Sequence, residues 1–261
     1  MAKKKKNSVA KKEAAGLPAN LEEEMEADAG DGRQGITTKD LAIPFLRILQ
    51  KMSPQLSKRD GAYVEGAEEG DIINTVTGEI WSGDNGIVVV PAAFHFKYIE
   101  WKQRDDGGGF VASYTRDDEL PSTEQDDRGR AITGAGNLLS DTAEHYVAII
   151  GSNGHIDTAV IAMSSTQLKH SRKWNSMISQ QQITTKEGVK PAPTYSRMYR
   201  LKTTSESNDH GDWAGWNITL EGVVDSLDVY RSAKAFSQSV NQGAVTAKHT
   251  TIDGTDAEDV M

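Results

Sequence analysis

Ile87-Val-Val-Val-Pro-Ala-Ala-Phe-His-Phe-Lys-Tyr-Ile-Glu-Trp101 is the longest run of β-forming residues in the chain. Ile87 to Val90 are continuously apolar, Pro91 interrupts, and Phe94, Phe96 and Tyr98 then alternate with His95, Lys97, Ile99 and Trp101. Proline has no N–H to give to a ladder, so it marks an edge or a bulge. The spacing therefore predicts one long strand bent at Pro91, a common opening strand of small barrels.

The flanks carry the same punctuation, with glycines and turn residues separating short runs rich in valine, isoleucine, threonine and aromatics. Asp71 to Val76 is one run, and Leu41 to Met52 fits either a helix or a short strand through Leu46, Ile48 and Gln50. Gly109 to Tyr114 is expected to pair with the long strand across Asp105-Asp106-Gly107-Gly108. The polar interval Thr115 to Ala143 reads as a long loop or insertion. Glu144 to Ile150 and Ile156 to Ala162 form a hairpin about Ser152-Asn153-Gly154. Ser164 and Gln167 have capping-box spacing, and Leu168, Ser171, Trp174 and Ile178 share a helical stripe behind them. Tyr195 to Thr203 and Trp216 to Val224 make a last hairpin. Strands, helix and hairpin in this order predict a mainly β protein: an oligonucleotide-binding (OB-fold-like) five-stranded barrel with one inserted helix.

At 261 residues, the chain holds one folded body of roughly 200 residues plus tails. The expected partition is a disordered charged N-terminal tail over 1–35, a nucleic-acid-binding domain over 36–230 and a flexible acidic C-terminal tail over 231–261. No apolar run is long enough to span a bilayer, and the lysine-rich start lacks the apolar core of a secretory signal. Zero cysteines exclude disulfides and thiolate metal sites and suit a cytoplasmic location, the host's if the protein is viral.

A net charge of −9 opposes phosphate binding unless cations are segregated. They are segregated: the acids concentrate in Glu13 to Asp31, Asp105 to Asp127 and Asp253 to Asp259. Between Ser164 and Lys202, Lys169, Arg172, Lys173, Lys186, Lys190, Arg197, Arg200 and Lys202 face only Glu187.

Leu41-Ala-Ile-Pro-Phe-Leu-Arg-Ile-Leu-Gln50, Gly70-Asp-Ile-Ile-Asn-Thr-Val-Thr-Gly-Glu79 and Gly107-Gly-Gly-Phe-Val111 resemble segments of tailed-phage proteins from replication gene clusters, regarded as single-stranded DNA-binding proteins. The likeness runs over residues 38 to 225 and carries no binding residue with it. The plan of a barrel followed by an acidic end also resembles the single-stranded DNA-binding proteins of T7-like phages. The resemblance implies a role in viral DNA replication or recombination, protecting single strands and recruiting replication partners. The alternatives are a DNA-annealing recombination protein and a virion or scaffolding component without DNA binding.

A binder of single strands needs cations for phosphate and aromatic faces for bases. Along Tyr195 to Lys202 the period of two places Tyr195, Arg197 and Tyr199 on one face and Arg200 and Lys202 on the other. A competing reading makes Tyr199 and Leu201 core. If Phe94 and Phe96 are buried, Lys97 and Trp101 point outward together; otherwise Trp101 closes the barrel end. Lys169, Arg172 and Lys173 lie off the apolar stripe of the helix and complete the expected DNA-binding set. Asp256, Glu258, Asp259, Val260 and Met261 form an expected docking tip for a viral polymerase or helicase. Self-association is left open. No phosphate loop, His-Glu-x-x-His or Gly-x-Ser-x-Gly occurs, and the histidines are scattered, so no enzyme, metal or cofactor is expected.

Overall fold

The computed structural model describes residues 18–37, 40–151, 154–209 and 211–249. The lysine block at 3–12, Asn153, His210 and the acidic end, with Asp256, Glu258, Asp259, Val260 and Met261, lie outside the described residues. The chain divides into two units, Met1–Leu41 and Ala42–Met261. In the first, α1 (Ala19–Ala27) starts behind Pro18 with Glu22 in its first turn, where a carboxylate complements the helix dipole. This stretch was expected to lack structure. Leu21 and Met25 lie one turn apart but are both exposed, so the helix rests on the propensity of its leucine, methionine and glutamates.

The second unit is mainly β. A small sheet pairs β1 (Leu46–Ile48), β2 (Ile72–Asn74) and β3 (Ile80–Trp81), resolving the ambiguity at Leu41 to Met52 in favour of a strand. The main sheet has eight strands, ordered β13-β12-β4-β8-β7-β6 with β5 on β4 and β9 on β8. These are β4 (Ile87–Trp101), β5 (Phe110–Tyr114), β6 (Thr123–Gln125), β7 (Ala131–Thr133), β8 (Leu138–Ile150), β9 (Ile156–Ser164), β12 (Arg197–Asn208) and β13 (Gly211–Val223). A separate hairpin joins β10 (Gln182–Thr185) and β11 (Gly188–Pro191). The sheet is thus not the strictly five-stranded barrel expected. The interval read as a loop contributes β6 and β7, strands too short and polar to show a period.

The topology follows from pairing. β4, β8 and β9 form successive antiparallel neighbours, and β12 returns beside β4 through Tyr199↔Val89 and Leu201↔Ile87. The spatial order β12-β4-β8-β9 is a Greek key. The register of β4 on β8 shifts between Pro91 and Ala93, the bulge that the proline foretold. No ladder joins β9 to β13 among the described residues. Instead Val160 N–H donates to Pro44 O at 2.8 Å, and Gln50 exchanges two 2.9 Å bonds with the backbone of Ala214. A glutamine side chain mimics a peptide, so it satisfies backbone groups that an edge would leave open.

Ile87, Val89, Val147, Ile161, Tyr199 and Leu201 fill the concave side, and α2 (Leu168–Ser179) closes it with Trp174 fully buried. The helical stripe from Leu168 to Ile178 is as expected. The capping box does not form: Gln167 bonds the backbone of Ala214 and Trp216 instead. The outer side of β4, β8 and β9 is covered by α3 (Leu227–Asn241), whose Val229, Ala233, Phe236 and Val240 pack on Val90, Ala93, Tyr146, Ala148 and Val160. The C-terminal tail expected from residue 231 is therefore folded at least to His249. Its apolar stripe is spaced for a helix but diluted by polar residues.

Candidate nucleic-acid interface

Beyond the bulge, successive side chains of β4 alternate between two surroundings. His95, Lys97, Ile99 and Trp101 lie on the side of Glu144 and Tyr146. Lys97 Nζ sits 3.1 Å from the Glu144 carboxylate with its side chain 14% exposed, Ile99 is buried, and Trp101 is 6% exposed. Phe94, Phe96 and Tyr98 occupy the other face, where Phe94 is 37% exposed and its two neighbours are half-buried. The expected outward presentation of Lys97 and Trp101 is thus reversed. α3 and the segment after it cover that face, and Glu144 supplies the counter-charge that lets a lysine sit beneath them.

The remaining expected residues divide by partner. Tyr199 is wholly buried, its ring 5.8 Å from Trp174, and Leu201 is core, so the competing reading of that strand holds for both. Tyr195 packs edge-on against Tyr230 at 5.1 Å. Arg197 latches the base of the β10–β11 hairpin, donating to Gln181 Oε1 at 3.1 Å and Gln182 O at 2.9 Å. Arg200 forks onto Glu221 with bonds of 2.9 and 2.6 Å, and Lys202 is half-buried nearby. Lys169 meets Glu206 at 2.9 Å and lies over the Trp213 ring. Burial opposes ionisation of Glu206, but its bonds to Lys169 and His170 outweigh it and lower its pKa. Arg172 and Lys173 are exposed on α2, with no ion pair among the described residues.

Among the described residues these placements leave a partly accessible aromatic row on β4. Same-face residues on a strand recur about every 7 Å, so Phe94, Phe96 and Tyr98 span about 13 Å. Phe96 and Tyr98 meet edge-on at 5.4 Å, and the Arg116 guanidinium lies over Phe96. Tyr114 pairs across from Tyr98 on β5. Its hydroxyl donates to the buried Glu100 at 2.8 Å, a carboxylate that also accepts from Asn137 Nδ2 at 2.7 Å and Thr133 Oγ1 at 3.2 Å. Burial pushes the Glu100 pKa up, yet the three bonds together hold it below the ordinary value. Glu100 thereby ties β4, β5 and the turn after β7 into one rigid support for the row. At the other end Phe94 touches His145 at 5.0 Å, and His145 stacks on Trp174 of α2 at 4.5 Å. Burial alone brings the His145 pKa down to about 3, so its ring is neutral.

Acids border the row as well. Asp141 pairs across from Tyr98 on β8, and Asp117, Asp118 and Glu119 follow Arg116, all exposed. The surface therefore offers ring faces and one guanidinium in a setting where the neighbouring acids Asp117, Asp118, Glu119 and Asp141 outnumber the cation. Sequence reasoning named these aromatics but left open which face of the strand is buried, and placed Lys97 and Trp101 in the binding set on the condition that Phe94 and Phe96 are core; the deciding signal, the stripe of α3, lies far along the chain. Among the described residues no three histidine, aspartate or glutamate side chains are grouped to hold a metal ion, and no helix is long and apolar enough to cross a membrane. A family model described as Pam3 phage gp34-like protein matches residues 9–246. No curated protein and no solved structure matches the chain.

Proposed function

The chain belongs to the Pam3 phage gp34-like protein family, and from that premise we propose that it is a non-enzymatic binder of single-stranded DNA acting in phage replication or recombination. The observation that carries the reading is the accessible row Phe94, Phe96, Tyr98 with Arg116 over Phe96. Bases stack on such rings with little regard to sequence, each contributing about 1–3 kcal/mol, and a guanidinium beside them engages a phosphate or a base face. A row of about 13 Å accommodates about three bases. The Greek key with a helix between its third and fourth members supports the reading by analogy of fold, since oligonucleotide-binding barrels share that plan. On this view β5 to β7 are additions to the loop between the first two barrel strands. The acidic chain end would recruit a replication partner.

Labelled oligo-dT and a duplex of equal length, titrated in fluorescence anisotropy over a salt series, test the proposal. The single strand should bind more tightly, with a double-logarithmic salt slope of about −2. That corresponds to about 0.7 per neutralised phosphate for three cations, Arg116, Arg172 and Lys173, that have no ion pair among the described residues. Equal affinity for duplex, or no binding of oligo-dT, overturns it. The acids beside the row favour a second reading, a virion component whose aromatic-and-arginine surface docks a basic protein partner. Absence of DNA binding together with capture by a phage structural protein would select that reading.

A further inference from the structure

β13 ends the main sheet on one side, with β12 as its neighbour. Antiparallel strands turn alternate backbone groups toward and away from the neighbour. The outward set on β13 is fixed by its caps: Gln50 engages both the N–H and the C=O of Ala214 at 2.9 Å, and Gln167 accepts from the N–H of Trp216 at 3.3 Å. Ile218 and Leu220 stand opposite Leu201 and Tyr199 in the same alternation, so their groups also point away from β12. Those groups have no partner among the described residues. One half of the edge is thus sealed by glutamine side chains and the other half is open.

The open half lacks the lysine or proline that blunts an exposed edge, since Asn217 to Val223 contains neither. It carries aliphatic side chains instead: Leu220 is 46% exposed, and Val223 and Leu227 beyond it are 59% and 58% exposed. Its sequence, Asn217-Ile-Thr-Leu-Glu221, reads polar, aliphatic, threonine, aliphatic, polar in either direction about Thr219. At Glu221 a bulge interrupts the ladder, because Leu220 faces Tyr199 and Gly222 faces Met198. A bulge bends its strand, so a straight neighbour can follow this edge only between the glutamine caps and Glu221.

We propose that the occupant of this edge is Asn217–Glu221 of a second copy of the chain, paired antiparallel about a two-fold axis at Thr219. Thr219 then meets Thr219, Ile218 meets Leu220, and Asn217 meets Glu221. The two Ile218–Leu220 pairs satisfy the open backbone groups with about four hydrogen bonds, and Thr219 with itself is a favourable cross-strand pair. Charge is complementary as well. The two Glu221 carboxylates lie about 14 Å apart, and each already accepts a fork of 2.9 and 2.6 Å from its own Arg200. Each also comes to lie beside Asn217 of the other copy, whose ladder neighbour on β12 is Lys202. The same patch on both copies makes a closed, isologous interface, which stops at two chains and joins the two main sheets into one. This pairing holds whether or not the chain binds DNA.

Sedimentation equilibrium of the full chain without DNA, over a concentration series up to about 100 µM, tests the pairing. The native chain should pass from the mass of one copy to that of two and no further. Thr219 is exposed, so Thr219→Glu and Thr219→Lys leave the fold intact, which thermal melting checks, but each sets like charges face to face at the axis. Each variant alone should dimerise about tenfold more weakly, and an equal mixture of the two should regain the native midpoint, because the opposed residues are then of opposite sign. Leu220→Lys, which supplies the missing edge lysine, should also weaken the dimer about tenfold without lowering the melting temperature. A native chain that stays at the mass of one copy overturns the proposal. So do variants that dimerise as the native chain does, and so does a Glu–Lys mixture no tighter than its components, since a dimer formed elsewhere on the surface has no reason to respond to the pairing of residue 219 with itself.

Discussion

The guanidinium of Arg116 lies 4.5 Å from the centroid of the Phe96 ring, so a residue just past the end of β5 caps a residue in the middle of β4. A cation held over a ring at an exposed site contributes about 0.5–1 kcal/mol, and the same guanidinium can reach a phosphate. Arg116→Ala should weaken oligo-dT by about three- to tenfold, and Phe94→Ala by about tenfold through the lost stack. Anisotropy titrations with melting curves as a control check both. Native affinity in both variants would place the DNA elsewhere.

Asp141 stands across the ladder from Tyr98 and is exposed. A phosphate passing along the row meets its charge in high dielectric, where two unit charges at 4 Å repel by about 1 kcal/mol and salt screens them. Asp141→Asn should therefore tighten oligo-dT by about two- to fivefold in low salt and by nothing near 1 M. An increase that persists in high salt, or none at low salt, would show that the strand does not run past β8.

Much of this arrangement is written locally. The period-two run of β4, its bulge at Pro91, the hairpin between β8 and β9 and the stripe of α2 all follow from neighbours in sequence, because pleat, helix pitch and turn chemistry are local. The side of β4 left accessible is not local. It depends on α3, whose Val229, Ala233, Phe236 and Val240 are separated by polar residues and sit beyond the last strand. The same distance effect disguised the cations. Lys97, Lys169 and Arg200 look unopposed within the chain, yet Glu144, Glu206 and Glu221 reach them across the sheet. Tyr199 looked like half of a binding face because its neighbours are basic, but β12 turns their side chains outward and its ring inward.

His145 gives the fold an acid sensitivity of its own. Burial lowers its pKa to about 3 from 6.5. Between those limits the unfolded chain binds a proton that the folded chain refuses, so stability falls as pH falls, by up to about 1.4 kcal/mol per unit. Above about 6.5 the contribution is constant. His145→Gln keeps a partner for Ser171, bonded to the imidazole at 2.8 Å, and removes the titration. Urea midpoints at pH 7, 6 and 5 should fall more steeply for the native chain than for the variant. Parallel slopes would show that His145 takes up its proton in the fold.

Tyr199 separates packing from recognition. Its ring fills the concave core against Trp174, and its hydroxyl is buried with no hydrogen-bond partner among the described residues. Removing the ring forfeits apolar contact and leaves a cavity, whereas removing only the hydroxyl relieves a group stripped of water without compensation. Tyr199→Ala should lower stability by about 3–5 kcal/mol. Tyr199→Phe should melt at or above the native temperature, by up to about 1 kcal/mol of added stability. A base stacked on this ring would make Ala the damaging change for binding and leave folding intact. Burial predicts the opposite order: Tyr199→Phe binds oligo-dT as the native chain does, and Tyr199→Ala loses binding only in step with its loss of folded protein. A Tyr199→Phe variant that is clearly less stable would mean that the hydroxyl has a partner in solution, such as a bound water reaching Trp174 Nε1, another buried polar atom with no partner among the described residues.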